Sequence, residues 1–137
     1  MGIAAGALDV ICVPLKGPLM SRGAREVARL IRAMGGNELS AYGLAHLGDY
    51  ETTLFSKFSH NRMYGEMLAK GQRFEKLAEG VATSKAMMYL GKKYGVELPI
   101  TEVVYNVCYG EAGDDEKRCR EAITTLFSRA PTTEMYY

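Results

Sequence analysis

The sequence predicts an all-α fold, and three observations support that class. Apolar residues recur at intervals of three and four along most of the 137 residues, which is the period of an amphipathic helix. Glycines follow several of these segments at the position where helices commonly end. No Val-, Ile- or Thr-rich segment alternates with polar residues, and no Asn-Gly or Asp-Gly hairpin turn occurs. These features predict a bundle of about six to seven helices joined by short connections.

The N-terminal part of the chain predicts two helices. Small residues at positions 4–7 allow another helix or backbone to approach the first one closely. Because this apolar helix has no N-cap residue before it, we expect the chain to be one domain of a longer protein. The second helix is predicted from Gly23 to Met34, and Gly35 and Gly36 end it. Its apolar stripe consists of Val27, Ala28, Ile31 and Met34.

The middle of the chain predicts an irregular segment and two further helices. Residues 37–58 lack a clear period, so we expect short helices and turns there. One helix is predicted over 59–69 and ends before Gly71, and the next over 81–94 is followed by Gly95. The first of these is expected to turn Met63, Met67 and Leu68 inward. The second is expected to bury a face of Val81, Ala82, Ala86, Met88 and Tyr89.

Two helices are predicted in the C-terminal part. Pro99 suits the first turn of a helix that runs through a Val-rich segment to Gly110. Asp114 or Asp115 caps a last helix that Pro131 ends. The apolar face of this last helix consists of Cys119, Ala122, Ile123, Leu126 and Phe127. Residues 1–130 are therefore expected to form a single helical domain, followed by a tail over 131–137.

Composition excludes several classes of protein. The chain is 47% hydrophobic and 24% charged with a formal net charge of +1, which is typical of a soluble globular protein and indicates neither a nucleic-acid nor a membrane partner. Three cysteines without a Cys-x-x-Cys pair favour a reducing cytoplasm over a disulfide framework. No His, Cys and carboxylate cluster has the spacing of metal ligands, so no metal is expected. No Gly-x-Gly-x-x-Gly sequence is present to hold a dinucleotide.

Polar residues at a predicted helix start form the best candidate site. Ser59, His60, Asn61 and Arg62 are consecutive, and the free backbone N–H groups of a helix start attract phosphate. Asp49 follows Gly48 and can hydrogen-bond a hydroxylated substrate. The alternative is that Ser59 is an N-cap before a solvated turn and that Asp49 merely caps a helix.

A basic stripe is the second candidate. Arginines recur at spacings of three, four and three, which is formally the pattern of a phosphate or nucleic-acid surface; they are Arg22, Arg25, Arg29 and Arg32. Because Glu26 lies among them, a solvated helix face is the preferred interpretation.

Six strings together resemble the C-terminal, substrate-binding domain of bacterial NAD(P)H-dependent glycerol-3-phosphate dehydrogenases. They occur in the family's order from about residue 2 to residue 129. The strings are Ile3-Ala4-Ala5-Gly6 with Asp9, Arg22-Gly23 with Glu26, Gly43-Leu44-Ala45-His46-Leu47-Gly48-Asp49, Ser59-His60-Asn61-Arg62 with Gly65, Glu79-Gly80-Val81 followed by Lys85, and Leu98-Pro99-Ile100-Thr101-Glu102-Val103-Val104-Tyr105.

The resemblance implies a fold, a reaction and partners. The fold is the all-helical kind of the 6-phosphogluconate dehydrogenase C-terminal domain, normally preceded by an N-terminal Rossmann domain that holds most of the NAD or NADP. The reaction interconverts dihydroxyacetone phosphate and sn-glycerol 3-phosphate for phospholipid synthesis. The implied partners are a phosphorylated triose and the Rossmann domain, with a homodimer as an option, in the cytoplasm.

The resemblance also implies roles for individual residues. The substrate-binding residues are Asp49, Ser59, His60 and Asn61, and the residues near the cofactor are His60, Arg62 and Glu79. The family's general acid/base lysine lies upstream of Ile3, outside this chain, and Lys16 does not stand at its position. No catalytic residue is therefore assigned here, and the chain alone is expected to be inactive.

Two further departures from the family keep alternatives open. His60 stands where the family has an arginine, and imidazole lacks the bidentate guanidinium fork. The segment 10–20 looks shorter than usual and carries Pro14 and Pro18. A helical interaction or dimerisation module without catalysis, or a related reductase of the same superfamily with another small substrate, are the alternatives.

Overall fold

A computed structural model describes residues 1–11, 16–72, 76, 78–109, 117 and 121 of the chain. Within these residues there are six α-helices and no strand, which confirms the all-α prediction. The helices are α1 (Gly2–Ile11), α2 (Lys16–Ala33), α3 (Asp49–Phe55), α4 (His60–Ala69), α5 (Glu79–Tyr94) and α6 (Pro99–Tyr109). The helix predicted to begin at Asp114 or Asp115 and the tail 131–137 lie outside the described residues.

The connection between α2 and α3 consists of short helical turns, as its lack of period predicts. A 3₁₀ helix (Glu38–Tyr42) is followed by a π-helical turn (Leu44–Gly48) that runs directly into α3. Asn37 caps the 3₁₀ helix, since its side chain accepts the N–H of Leu39.

The core is built around α1. Five of its side chains are buried with side chains of the other helices in one apolar cluster. The cluster consists of Ile3, Ala4, Ala5, Ala7, Leu8, Leu19, Leu54, Ala69, Ile100 and Val104. Since most α1 side chains are small, neighbouring helices approach its backbone closely.

The closest approach is the crossing of α1 and α4 at two glycines. A Cβ atom on Gly6 would overlap the backbone carbonyl of Arg62, and one on Gly65 would overlap the carbonyl of Ile3. The two helices therefore pack backbone against backbone, which fixes the start of α4 on α1.

Several predicted helix boundaries are confirmed. Ser59 caps α4, and Gly95 follows α5 in the left-handed conformation at φ 67°, which glycine adopts without strain. Pro99 is the first residue of α6. In contrast, α2 begins at Lys16 rather than Gly23, because Pro18 falls in its first turn, where no intrahelical N–H is needed.

The predicted buried faces of α2 and α5 are partly wrong. Ala28 is buried as predicted, but Met34 is 47% exposed because it lies beyond the end of α2. In α5 the predicted Tyr89 is 66% exposed, and Ser84 and Gly91 are buried instead. A Cβ on Gly91 would stand 3.0 Å from both the Leu98 side chain and the Val96 carbonyl. The turn that leads into α6 thus covers the side of α5 that carries Gly91, not the apolar side that the sequence predicted to be buried.

Candidate functional site

The start of α4 presents the polar residues singled out in the sequence. Ser59 has extended backbone angles, and its Oγ accepts the backbone N–H of Arg62 at 3.3 Å. This bond satisfies one of the N–H groups that a helix start leaves free. His60 is exposed and Asn61 is half-buried, so the cap and the two polar side chains lie together at one end of α4.

Asn61 joins the start of α4 to the start of α5. Its Oδ1 accepts the backbone N–H of Gly80 at 2.9 Å. Glu79 is the first residue of α5, directly precedes Gly80 in the chain and is exposed. Asn61 therefore links the starts of α4 and α5, and the predicted site residues His60 and Glu79 are the chain neighbours of Asn61 and Gly80.

A small cavity lies behind Asn61. Its volume is about 60 Å³, and its lining includes Asn61, Gly80, Ser84 and Thr101. This volume accommodates water molecules but not a phosphorylated triose.

Asp49 occupies a different position. It is exposed and is the first residue of α3, whereas the connection to α4 leaves the other end of that helix. Six residues of helix, about 9 Å along the axis, separate Asp49 from Phe55. Among the described residues, the hydrogen bonds that organise the α4 start do not include the Asp49 side chain.

Arg62 is held by groups of the protein itself. Its side chain is 12% exposed, its Nε donates to the Ser56 carbonyl at 2.7 Å, and its Nη1 donates to Asp9 Oδ2 at 2.8 Å. The same Nη1 lies 3.3 Å from Glu66 Oε2. The assignment of Arg62 to the cofactor stays a prediction, while its contacts connect α1, α4 and the residue after α3.

Asp9 binds a second cation. Lys16 Nζ lies 2.7 Å from Asp9 Oδ1, donates to the Leu54 carbonyl at 3.0 Å and stands 5.1 Å from the centre of the Phe55 ring. Together with Arg62, Glu66 and Lys70, which pairs with Glu66 at 2.9 Å, these charges form what we call the Asp9 cluster. The hydrogen bond from Lys70, aided by the charges of Lys70 and Arg62 and opposed by partial burial and by Asp9, lowers the pKa of Glu66.

The sequence reasoning missed the Asp9 cluster as a unit. Asp9 follows Gly6 by three residues, and Arg62 precedes Gly65 by three, so each charge lies one turn from a glycine of the helix crossing. This spacing was visible in the sequence. Its meaning depended on knowing that the two glycines face each other.

Glu26 does not belong to a solvated face, so that interpretation is wrong. It is 1% exposed, and its carboxylate accepts the N–H groups of Ile100 and Thr101 at 2.9 Å each. A carboxylate at this place caps the N-terminus of α6.

The basic stripe of α2 binds other parts of the chain. Arg29 Nη2 donates to the Glu97 carbonyl at 3.0 Å, and Arg32 Nη1 lies 3.7 Å from Glu38. Arg22, Arg25 and Arg29 are half-buried. Arg29 and Arg32 therefore fasten α2 to the neighbouring turns.

Among the residues that the structure describes, no group of three His, Cys, Asp or Glu side chains is arranged to hold a metal ion. No helix in the same part of the chain is long and apolar enough to cross a membrane. His46 Nδ1 lies 2.8 Å from the Ala41 carbonyl.

Comparison with known proteins gives consistent matches over most of the chain. The family model of the NAD-dependent glycerol-3-phosphate dehydrogenase C-terminus matches residues 1–117. Glycerol-3-phosphate dehydrogenase (NAD(P)+) of Thermus thermophilus is 41% identical, over 98% of this chain and 42% of the relative. The protein of the same name from Prosthecochloris aestuarii is 36% identical over the same shares. The chain thus spans about two fifths of the length of these relatives.

Proposed function

The chain belongs to the NAD-dependent glycerol-3-phosphate dehydrogenase C-terminus family, and from that premise we propose that it is the substrate-binding domain of such an enzyme. The enzyme would interconvert dihydroxyacetone phosphate and sn-glycerol 3-phosphate with NAD or NADP, for glycerophospholipid synthesis. The observation that carries this proposal is the polar start of α4, which Asn61 ties to the start of α5 within the region that matches the family.

The substrate phosphate is proposed to bind at the N-terminus of α4. The positive end of the ten-residue helix and its free N–H groups favour an anion there. His60 is exposed at the first position of the helix, where a ring N–H of its imidazole would donate a hydrogen bond to a phosphate oxygen. Ser59 and Asn61 would orient the phosphate and the hydroxyl groups, which is a proximity contribution.

Asp49 is proposed to accept a hydrogen bond from a substrate hydroxyl. It is exposed at the start of α3, while α4 carries the proposed phosphate site. A substrate that contacts both must reach from the first residue of α3 to the first residue of α4. The role of Asp49 therefore depends on a substrate that lies across the ends of α3 and α4.

NAD or NADP would contact this chain at the starts of α4 and α5. His60 and Glu79 are exposed at adjoining helix starts and would contact the cofactor, whereas the Arg62 guanidinium is already bound by Asp9 and Ser56. When bound, the cofactor supplies or accepts the hydride. We propose that an N-terminal Rossmann domain in the longer protein holds most of it.

A ligand titration tests this function in the chain as it exists. We expect sn-glycerol 3-phosphate to shift the backbone amide resonances of His60 and Asn61 with a millimolar dissociation constant, because only part of the site is present. Glycerol is the matched control without phosphate. Unchanged resonances at the start of α4 would contradict the phosphate site. The chain alone should oxidise no NADH, and measurable oxidation would contradict the domain assignment.

The second candidate is a helical interaction or dimerisation module without catalysis. The observation that favours it is the exposure of two large apolar side chains, Leu44 at 93% and Phe58 at 90%. Light scattering separates the two functions. A tight dimer of this chain that ignores sn-glycerol 3-phosphate would favour the module, and a monomer that binds it would exclude that reading. A cytoplasmic location is proposed for either function.

A further inference from the structure

The Arg62 side chain fastens the turn before α4 to α1. Residues 56–59 connect α3 to α4, and the Arg62 Nε donates to the Ser56 carbonyl at the beginning of this turn. The Arg62 backbone N–H donates to Ser59 Oγ at its end. Within the turn, the Phe58 N–H donates to Ser56 Oγ at 3.2 Å. One residue of α4 therefore contacts both ends of the turn.

The same guanidinium reaches α1 through Asp9. The Arg62 backbone lies against Gly6, where a Cβ atom would overlap its carbonyl. Asp9 lies one helical turn further along the same side of α1, and its Oδ2 accepts from Nη1 at 2.8 Å. The Arg62 side chain is 12% exposed and the Asp9 side chain is 33% exposed, so this charge-assisted bond is partly shielded from water. Arginine suits this task because its planar fork places separate N–H groups on two acceptors.

We infer that Arg62 is a positioning residue, which through Ser56 and Asp9 fixes the orientation of the α4 start and thereby of Asn61 against Gly80. The naming of Asn61 as a substrate-binding residue rests on the proposed function. The positioning itself concerns only the folded chain. This role differs from direct contact of Arg62 with the cofactor or the phosphate.

Hydrogen exchange of the Gly80 amide reports the orientation of Asn61, since that amide donates to Asn61 Oδ1. In Arg62→Lys the charge remains, but one ammonium group replaces the fork. We expect Gly80 to exchange about tenfold faster in this variant and in Asp9→Asn, because local opening becomes easier. The Ile100 amide, held by Glu26, should exchange at its original rate in both variants.

Two control variants separate positioning from general loss of stability. Lys70→Gln removes a charge of the same cluster that contacts Glu66 and should leave Gly80 exchange within about twofold of the parent chain. Ala28→Gly weakens the buried middle of α2 and should accelerate Gly80 and Ile100 alike. If Gly80 exchange in Arg62→Lys or Asp9→Asn stays at the parent rate, or changes only in step with Ile100, the positioning role is wrong.

A titration with sn-glycerol 3-phosphate distinguishes positioning from direct binding, because the two roles predict opposite changes in affinity for Asp9→Asn. If Arg62 positions Asn61, Asp9→Asn weakens binding together with Arg62→Lys. If Arg62 binds the phosphate directly, Asp9→Asn releases the guanidinium and strengthens binding, which would overturn the inference. Should the parent chain bind no ligand, the proposed function loses its support, while Gly80 exchange still decides the positioning role.

Discussion

Single carboxylates hold distant parts of this chain together, and Glu26 is the clearest case. It is buried on α2 and accepts two N–H groups at the start of α6, 74 and 75 residues away in the chain. These are N–H groups that a helix start cannot satisfy internally. One side chain thus fixes where α6 begins relative to α2.

Replacing Glu26 by Ala is expected to lower the free energy of unfolding by about 2–4 kcal/mol, because two buried N–H groups lose their acceptor. Urea unfolding followed by circular dichroism measures this change. Glu102→Gln is the matched control, since Glu102 is exposed in the first turn of α6 and should cost under about 1 kcal/mol. Equal stability of Glu26→Ala and the parent chain would contradict the capping role.

Glu66 predicts a dependence of stability on pH. Its pKa is lowered in the folded chain, chiefly by the hydrogen bond from Lys70, so the unfolded chain takes up the proton first as the pH falls. The stabilisation is therefore fully present above the unfolded pKa, about 4.3, and is lost as the pH falls through the folded value. Because the pair is partly exposed, it contributes less than about 1 kcal/mol.

Unfolding of the parent chain and of Glu66→Gln between pH 7 and pH 3 measures this contribution. The stability difference between the two should be largest at pH 7 and shrink below pH 4. Lys70→Gln should lose most of the same pH dependence, since it removes the main cause of the shift. A difference that grows on acidification would contradict the sign of the Glu66 shift.

At the scale of helices, the crossing of α1 and α4 depends on the absence of two side chains. Gly6 and Gly65 each face a backbone carbonyl of the other helix. Since neither backbone can yield without moving a whole helix, a methyl group at either place separates α1 from α4. The Asp9–Arg62 bond, one turn from each glycine, would separate with it.

Gly6→Ala and Gly65→Ala are each expected to destabilise the chain by about 3 kcal/mol or more, as overpacking against fixed atoms does. Gly17→Ala is the matched control. Gly17 is exposed in α2 and no atom lies within 4 Å of its added Cβ, so this change should stabilise by about 0.5 kcal/mol. Thermal unfolding of the three variants measures both effects. Similar midpoints for all three would contradict the close crossing.

The elements differ in how far their sequences predict them. Helix ends at Ser59, Gly95 and Pro99 were predictable because capping and backbone angles depend on local chemistry. The buried faces of α2 and α5 were not predictable in the same way, because they depend on contacts between distant helices. In α2, for example, Glu26 is buried where α6 begins beside it. The polar residues of the α4 start were found from sequence. The hydrogen bond from Gly80 to Asn61 and the ion pairs of the Asp9 cluster could not be predicted from the sequence, because they depend on how the helices pack.

For the whole molecule, the packing of the core determines how two helix starts are placed. The core around α1 orients the start of α4, and Asn61 connects it to α5. His60 and Glu79 are exposed at these two helix starts, and we propose that the Rossmann domain of the longer protein lies beside them. Relatives such as the Thermus thermophilus protein are more than twice as long as the region that this chain covers.

A chimaeric enzyme tests whether this chain binds the substrate of the proposed reaction. The part of the Thermus thermophilus relative that precedes its matching region is joined to this chain, and NADH oxidation is measured with dihydroxyacetone phosphate. We expect turnover that Asp49→Ala lowers about a hundredfold, while Lys57→Ala, an exposed position in the turn before α4, leaves it unchanged. A folded chimaera that binds NADH but reduces no dihydroxyacetone phosphate would contradict the substrate-binding role of this chain.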